Sequence, residues 1–185
     1  MKKILIGLGI VELVIIVTLV STYNGIVSKN ETITAKWAQV DNQLQRRNDL
    51  IPNLVNTVKG YAGHEKGVFE AVTNARSQWA KAGSVDEKVK AASAVDAALS
   101  RLLFVTENYP TLKADGTFLK LMDELSGTEN RIAVERMRYN EAVRDYNVTV
   151  RMFPGNIVAG ISGYKVASEY FKAEEKAKAV PEVKF

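Results

Sequence analysis

Apolar positions along this chain follow two different rules. From Ile4 to Val20 they form a nearly unbroken run, ILIGLGIVELVIIVTLV, in which thirteen of seventeen residues are Ile, Leu or Val. Beyond it they recur in steps of three and four, the spacing of one face of a helix, and no second run of that kind follows. Thirteen such residues favour insertion into a bilayer by about 4–8 kcal/mol, against about 3 kcal/mol for the one acid at mid-span, Glu12. At about 1.5 Å per residue the run reaches about 25 Å, and continuing to Tyr23 brings it to the thickness of a hydrocarbon core, with an aromatic ring at the interface. The pattern predicts an uncleaved anchor over residues 1–22 that meets the lipid bilayer through residues 4–22. A cleaved signal peptide fits less well, because an acid interrupts the run and Ser21 has Leu19 two residues before it instead of a small residue. Glu12 has two readings: a group that faces a partner within the membrane, or a protonated or locally hydrated carboxyl.

The remaining chain predicts helices separated by sparse breakers. Tyr23, Ile26, Ile33, Trp37, Val40 and Leu44 follow a heptad seam with Asn30 as its polar member, in a helix free to run on from the anchor with Gly25 as its weak point. Asn48-Asp49 before Leu50-Ile51-Pro52 has the form of an N-cap followed by an early-turn proline, which predicts a second helix from there to Lys81 with Ile51, Leu54, Val58, Tyr61, Val68, Val72, Ala75 and Trp79 along its seam. Gly60, Gly63 and Gly67 then share one face of that helix, as a docking strip or a hinge. Ser84-Val85-Asp86-Glu87 is a capping box that opens a third helix, ended near Tyr109 by Pro110. A fourth helix is predicted from Gly116 to about Met152, with a seam of Phe118, Met122, Leu125, Glu129, Ile132, Arg136, Tyr139, Val143, Tyr146, Val150 and Phe153. Gly160 and Gly163 predict an irregular stretch after Pro154-Gly155, followed by a short amphipathic helix over 165–179 and a loose tail from Val180. The fold class is all-α: an antiparallel bundle of four long helices over 23–153, preceded by the transmembrane helix, with residues 154–185 as an appendage.

Charge adds little to this picture. Net charge is +4, and without Lys2, Lys3 and Glu12 the body holds 23 basic and 20 acidic residues, so nothing points to nucleic acid. Lys2 and Lys3 before the anchor, against Lys29 and Lys36 after it, lean towards a body outside the cytoplasm. The chain has no cysteine, which removes disulfides and thiolate metal sites. Its one histidine, His64, has no evident orienting acid or nucleophile beside it, and one histidine cannot supply the paired Glu-x-x-His motifs of a di-metal bundle. No catalytic, cofactor or metal site is predicted. The residues that stand out are polar groups at seam positions. Glu129 and Arg136 are about 10 Å apart along their helix, too far to pair with each other. Each needs a partner from another helix, with Asp41, Arg46, Arg47 and Asp49 the candidates, and buried pairing of this sort fixes register. Tyr-Asn recurs at 23–24, 139–140 and 146–147, and in the last two Asn140 and Asn147 flank seam tyrosines one heptad apart, as a polar-lined helix interface.

These motifs together resemble the LemA family of bacterial membrane proteins. The resemblance lies in the anchor leading to Tyr23-Asn24, WAQVDNQLQRRNDLIPNLVNTVKGYAGHE from Trp37, ENYPTLKA from Glu107, ENRIAVERMRYNEAVRDYN from Glu129 and FPGNIVAG from Phe153. It covers about residues 1–175, with Tyr164 where the family pattern has Phe and with Glu12 outside that pattern. It implies a single-pass protein of the bacterial cell membrane with a long-helix body and no established active site, so no catalytic residue is carried over; Arg47, Asp49, Pro52, Glu129, Arg136, Asn140 and Asn147 fit the interface role. Three functions are open: a membrane-tethered scaffold or adaptor for a protein partner or a homo-oligomer, a sensory or regulatory module that uses the Gly60-Gly63-Gly67 strip, and an enzyme with a pocket on Glu129, Arg136 and His64.

Overall fold

The computed structural model describes residues 2–167 and 170–171. It begins with a single helix, α1, from Lys2 to Lys59. Its first five turns are exposed on every face, from 68% at Ile4 to 39% at Leu19, and it is long and apolar enough there to cross a membrane. Five further helices follow: α2 (Lys66–Lys81), α3 (Val85–Thr106), α4 (Pro110–Lys113), α5 (Gly116–Arg151) and α6 (Gly155–Ser162). The described residues contain no strand, and the fold is all-α with a long N-terminal helix. Two compact units divide the chain, one of residues 1–38 and 137–185, the other of residues 39–136, and α1 and α5 each contribute to both.

The predicted boundary at Asn48-Asp49 is absent, because α1 passes through Pro52. A proline inside a helix removes one N–H and costs about 3 kcal/mol, in part by orphaning the carbonyl four residues before it. That carbonyl belongs to Asn48, whose residue is 4% exposed. Here it is not orphaned: the Arg76 Nε–H of α2 donates to it at 3.2 Å. A side chain from the next helix replaces the missing backbone donor, and the helix continues.

The break falls instead at residues 60–65. The Gly60 N–H is shared between the Asn56 and Thr57 carbonyls, the Tyr61 and Ala62 N–H groups both donate to Val58, and the chain then turns into α2. Gly60 and Gly63 therefore lie in a connection, and only Gly67 is helical, in the first turn of α2. The expected glycine strip along one helix face does not exist. Two glycines within four residues cost a helix about 1 kcal/mol each, and the turn they occupy needs no close approach, since a Cβ at either would meet only ordinary contacts.

The later boundaries follow local chemistry. Ser84 Oγ accepts from the Glu87 N–H at 3.2 Å while Glu87 Oε2 accepts from the Ser84 and Gly83 N–H groups at 3.1 and 2.9 Å, so the capping box is complete. Those backbone donors, Gly83 first, hold the Glu87 carboxyl below its ordinary pKa. Pro110 ends α3 as expected but then opens the short α4 from its first position. Asp115 accepts from the Thr117 and Phe118 N–H groups at 2.9 Å each and starts α5. The Phe118 bond, followed by the Tyr61 hydroxyl at 3.1 Å, lowers its pKa.

In the unit of residues 39–136 the buried positions include Val40, Leu44, Ile51, Leu54 and Val58 on α1, Phe69, Val72 and Trp79 on α2, Val95, Leu99 and Leu102 on α3, and Leu121, Leu125 and Ile132 on α5. Each large apolar side chain so buried contributes about 1.5–3 kcal/mol. In the other unit Ile26 of α1, Tyr146 and Val150 of α5, and Val158 and Ala159 of α6 form one cluster, with Ile33, Tyr164 and Ala167 at its edge. The predicted irregular stretch after Pro154 is thus a regular helix, α6. Gly155 at its start sits where a Cβ would lie 1.9 Å from the Thr149 carbonyl oxygen. Gly163 closes it at φ 77°, with the Tyr164 N–H donating to Ala159 at 3.0 Å, a Schellman ending. The helix expected over 165–179 does not begin there, since residues 164–167 and 170–171 are not helical; the rest of that expectation, and the tail from Val180, lie outside the described residues.

Substitution of Arg76 by Ala is expected to cost about 1–3 kcal/mol, the penalty for a buried carbonyl left without a donor. In a Pro52→Ala background, where a backbone N–H returns to that carbonyl, the same substitution should cost far less. Denaturant unfolding of the four proteins in detergent, followed by circular dichroism, measures the difference, and equal costs in both backgrounds would remove the replacement-donor account.

Candidate functional site

Two constellations of polar residues stand out, one in each unit. In the unit of residues 39–136, α1 presents Arg47 with its side chain 4% exposed. One guanidinium nitrogen, Nη1, lies 2.5 Å from Asp96 Oδ1 of α3 and 2.8 Å from Glu129 Oε2 of α5. A buried cation is tolerable only when paired, and here two carboxylates from two other helices pair it. Their exposure differs: 31% for the Asp96 side chain and 53% for Glu129, so the acids reach in from the rim towards a sunken arginine. Glu129 occupies a seam number but not a buried site; Thr128 beside it is the fully buried residue, its hydroxyl donating to the Leu125 carbonyl at 2.7 Å. Asp96 had a readable signal, as the one charged member of the face formed by Ala92, Val95 and Leu99.

The other named residues of this unit lie elsewhere. Asp49 is exposed and accepts from Gln45 one turn earlier at 2.8 Å. Arg136 is half-buried near the C-terminal end of this unit's part of α5. Asp41 holds Lys88 at 2.6 Å, and the same ammonium sits 5.2 Å from the centre of the Trp79 ring. A crevice of about 530 Å³ adjoins these groups, lined in part by Asn48, Arg76, Trp79 and Lys88. Asn48 Oδ1 and Trp79 Nε1 are sealed from solvent behind its wall. His64 is exposed in the turn before α2.

In the unit of residues 1–38 and 137–185, Asn140 and Asn147 act as a pair. Asn147 Oδ1 accepts from the Ala167 N–H at 2.8 Å and its Nδ2 donates to the Ala167 carbonyl at 2.8 Å. Asn140 does the same to Phe171, with both bonds at 2.9 Å. A carboxamide carries one donor and one acceptor in the geometry of a peptide group, so each asparagine satisfies both backbone groups of one residue as a neighbouring strand would. The two sit seven residues apart on one face of α5 and grip Ala167 and Phe171, whose order along the chain is opposite to that of the asparagines. Asn147 Nδ2 also lies 3.0 Å from the Tyr170 hydroxyl, and Tyr146 donates its hydroxyl to the Lys165 carbonyl at 2.8 Å. Burial, with Tyr164 adding a smaller part, pushes the Tyr146 phenol above its ordinary pKa.

Aromatic packing fixes the far end of this segment. The Phe171 ring stacks on Trp37 at 5.9 Å and meets the edge or face of Tyr139 at 5.6 Å, while Trp37 and Tyr139 meet at 5.7 Å. Three rings in such contacts add about 0.5–1.5 kcal/mol per pair beyond their burial. Sequence reasoning placed Trp37 and Tyr139 on helix seams and both asparagines beside seam tyrosines but did not find Phe171, because that residue belongs to no periodic pattern. Glu12 is exposed on the first turns of α1. Chemically the two constellations hold a charge and a backbone; among the described residues no group of three His, Cys, Asp or Glu side chains is arranged to hold a metal.

Replacing Arg47 by Ala should destabilise the protein by about 3 kcal/mol, somewhat below the full cost of a completely buried pair because its acids are half in water, and Glu129→Gln by less, since Asp96 remains. Melts that rank Glu129→Gln above Arg47→Ala would refute the sunken-cation geometry. In hydrogen exchange, Asn147→Leu should release the Ala167 amide first and Asn140→Leu the Phe171 amide first; unchanged protection of both would show that the segment is held by its rings alone.

Comparison with known proteins agrees with this architecture. The LemA family profile matches residues 36–185. The chain is 32% identical over 183 residues to magnetosome protein MamQ 2 of Paramagnetospirillum magneticum, covering 85% of this chain and 67% of that protein. It is 28% identical over 196 residues to magnetosome protein MamQ of Magnetospirillum gryphiswaldense, covering 91% and 72%. Protein LemA of Metamycoplasma hominis matches at 29% identity over 136 residues, covering 71% and 60%. None of these names denotes an enzyme. With its profile matched over residues 36–185, this protein belongs to the LemA family.

Proposed function

We propose that this protein is a membrane-anchored helical scaffold or adaptor, without catalytic activity of its own, that presents its body to another protein of the membrane or envelope or to further copies of itself. The observation that carries the reading is the continuity of α1. The exposed apolar turns at residues 4–20 and the buried positions at Ile26, Val40, Leu44 and Leu54 belong to one helix with no break between them. A tether made this way transmits position and torque, whereas a flexible linker would only restrain distance. The distinctive polar residues support the same reading, because Arg47, Asn140 and Asn147 are engaged in holding helices and backbone together. Relatives named as magnetosome proteins are, by that name, parts of a larger cellular object.

In this proposal residues 1–22 cross the bilayer of a bacterial cell membrane, residues 23–153 form the helical body and residues 154–185 close it, with the body outside the cytoplasm. The regulatory alternative drew on a glycine hinge inside a helix. That motive is gone with Gly60 and Gly63 in the turn between α1 and α2. Glu12, a charge amid exposed aliphatic residues, is the place where a partner helix would make its contact within the membrane.

Chemical crosslinking in native membranes tests the proposal. A discrete complex of higher mass is expected, weakened when Glu12 is replaced by Leu. Recovery of the monomer alone, at an expression level matching the natural one, would overturn the scaffold reading.

A further inference from the structure

Helix α6 offers a second apolar surface next to the first. Its inward side, Val158 and Ala159, is buried against Ile26 and Tyr146. Its outward side is not: Ile157 is 48% and Ile161 82% exposed, and Phe153, four residues before Ile157, is 78% exposed with Met152 at 61%. Ile157 and Ile161, one turn apart, share a face of α6, and Phe153 is exposed in the turn that precedes it. From Met152 to Tyr164 the chain holds no charged residue, and a cation stands at each end, Arg151 and Lys165, both exposed.

Its position selects the occupant. Ile161, Val158 and Ser162 line one crevice together with Leu19, Val20 and Tyr23 of α1, and the Tyr23 ring lies 6.3 Å from that of Tyr164. Leu19 and Val20 end the apolar run of α1, so α6 lies at the level where a spanning α1 leaves the hydrocarbon. Two tyrosines at that level suit an interface, where ring and hydroxyl face different media. Contiguous apolar surface rimmed by cations is a membrane-facing pattern, and here it continues the apolar surface of the anchor itself.

We propose that α6 is a second membrane contact: an interfacial helix that lays Ile157 and Ile161, together with Phe153 of the preceding turn, into the bilayer boundary beside the anchor, with Arg151 and Lys165 at the level of the lipid phosphates. This inference rests on the reading of residues 4–22 as a bilayer-spanning anchor. At eight residues α6 is about 12 Å long and too short to bind a membrane alone. Its part is to fix the depth and tilt at which α1 emerges, which a single helix leaves free.

The absence of cysteine makes the test direct. Spin labels are placed on the full chain one at a time through Ile161→Cys, Phe153→Cys, Ile10→Cys in the anchor and Glu141→Cys on exposed α5, in nanodiscs of phosphatidylcholine and phosphatidylglycerol holding one chain each. Collision with oxygen reports lipid and collision with a water-soluble nickel complex reports solvent. Labels at 153 and 161 are expected to share the oxygen preference of position 10, a several-fold reversal of the ratio at 141. If position 10 reads lipid while 153 and 161 read solvent, the interfacial helix is overturned and the anchor stands. If 153 and 161 are shielded from both reagents, a protein surface covers α6 and the lipid assignment is overturned. If position 10 itself reads solvent, the anchor reading falls and this inference with it.

Discussion

The structure depends on keeping α1 whole. A helix survives an internal proline only if the carbonyl released one turn earlier finds another donor, and in this chain that donor is a single guanidinium nitrogen of α2. The consequence is long-range because of where Pro52 lies. Ile51 just before it and Leu54, Val55 and Val58 beyond it, all buried, lie on the same helix that begins with the apolar run. Were α1 to end at Asn48, these residues would belong to a separate helix. As it is, the exposed apolar run and these core residues belong to one helix.

Polar groups elsewhere serve to specify arrangement. Arg47, Asp96 and Glu129 replaced together by well-packed apolar residues would cost little in stability, as is common for buried ionic sets, whereas removing Arg47 alone leaves its acids unpaired; what the charged set adds is that α3 and α5 must present Asp96 and Glu129 at particular heights. Asn140 and Asn147 do the same for Ala167 and Phe171, which lie in no helix or strand. Each pairs both backbone groups of one residue, so the segment is held irrespective of its side chains, and the Trp37–Tyr139–Phe171 cluster then fixes its register.

Exposure of apolar surface is concentrated in two adjoining places, the first turns of α1 and the outward stripe of α6. Water penalises both at about 25 cal/mol per Å², and in the membrane contact proposed above a bilayer would remove the penalty from both.

The sequence by itself determined the apolar run that opens α1, the all-helical class and the long α5, because each rests on local patterns: a hydrophobic run, a 3.6-residue period, a capping box whose two bonds are made between residues three apart. It also placed Arg47, Glu129, Asn140 and Asn147 as residues whose polarity needed explaining. Only the tertiary structure decided what answers them. Asp96 and Phe171 come from segments distant in sequence, and a partner across space leaves no period along the chain. The largest error had the same cause. Asn48-Asp49-Leu50-Ile51-Pro52 reads locally as a helix start, and Gly60 to Gly67 as a helix face, because the arginine that rescues the proline lies on another helix. Propensity describes a segment with its own neighbours, whereas α1 is continuous because of a hydrogen bond from Arg76, 28 residues along the chain from the carbonyl it satisfies.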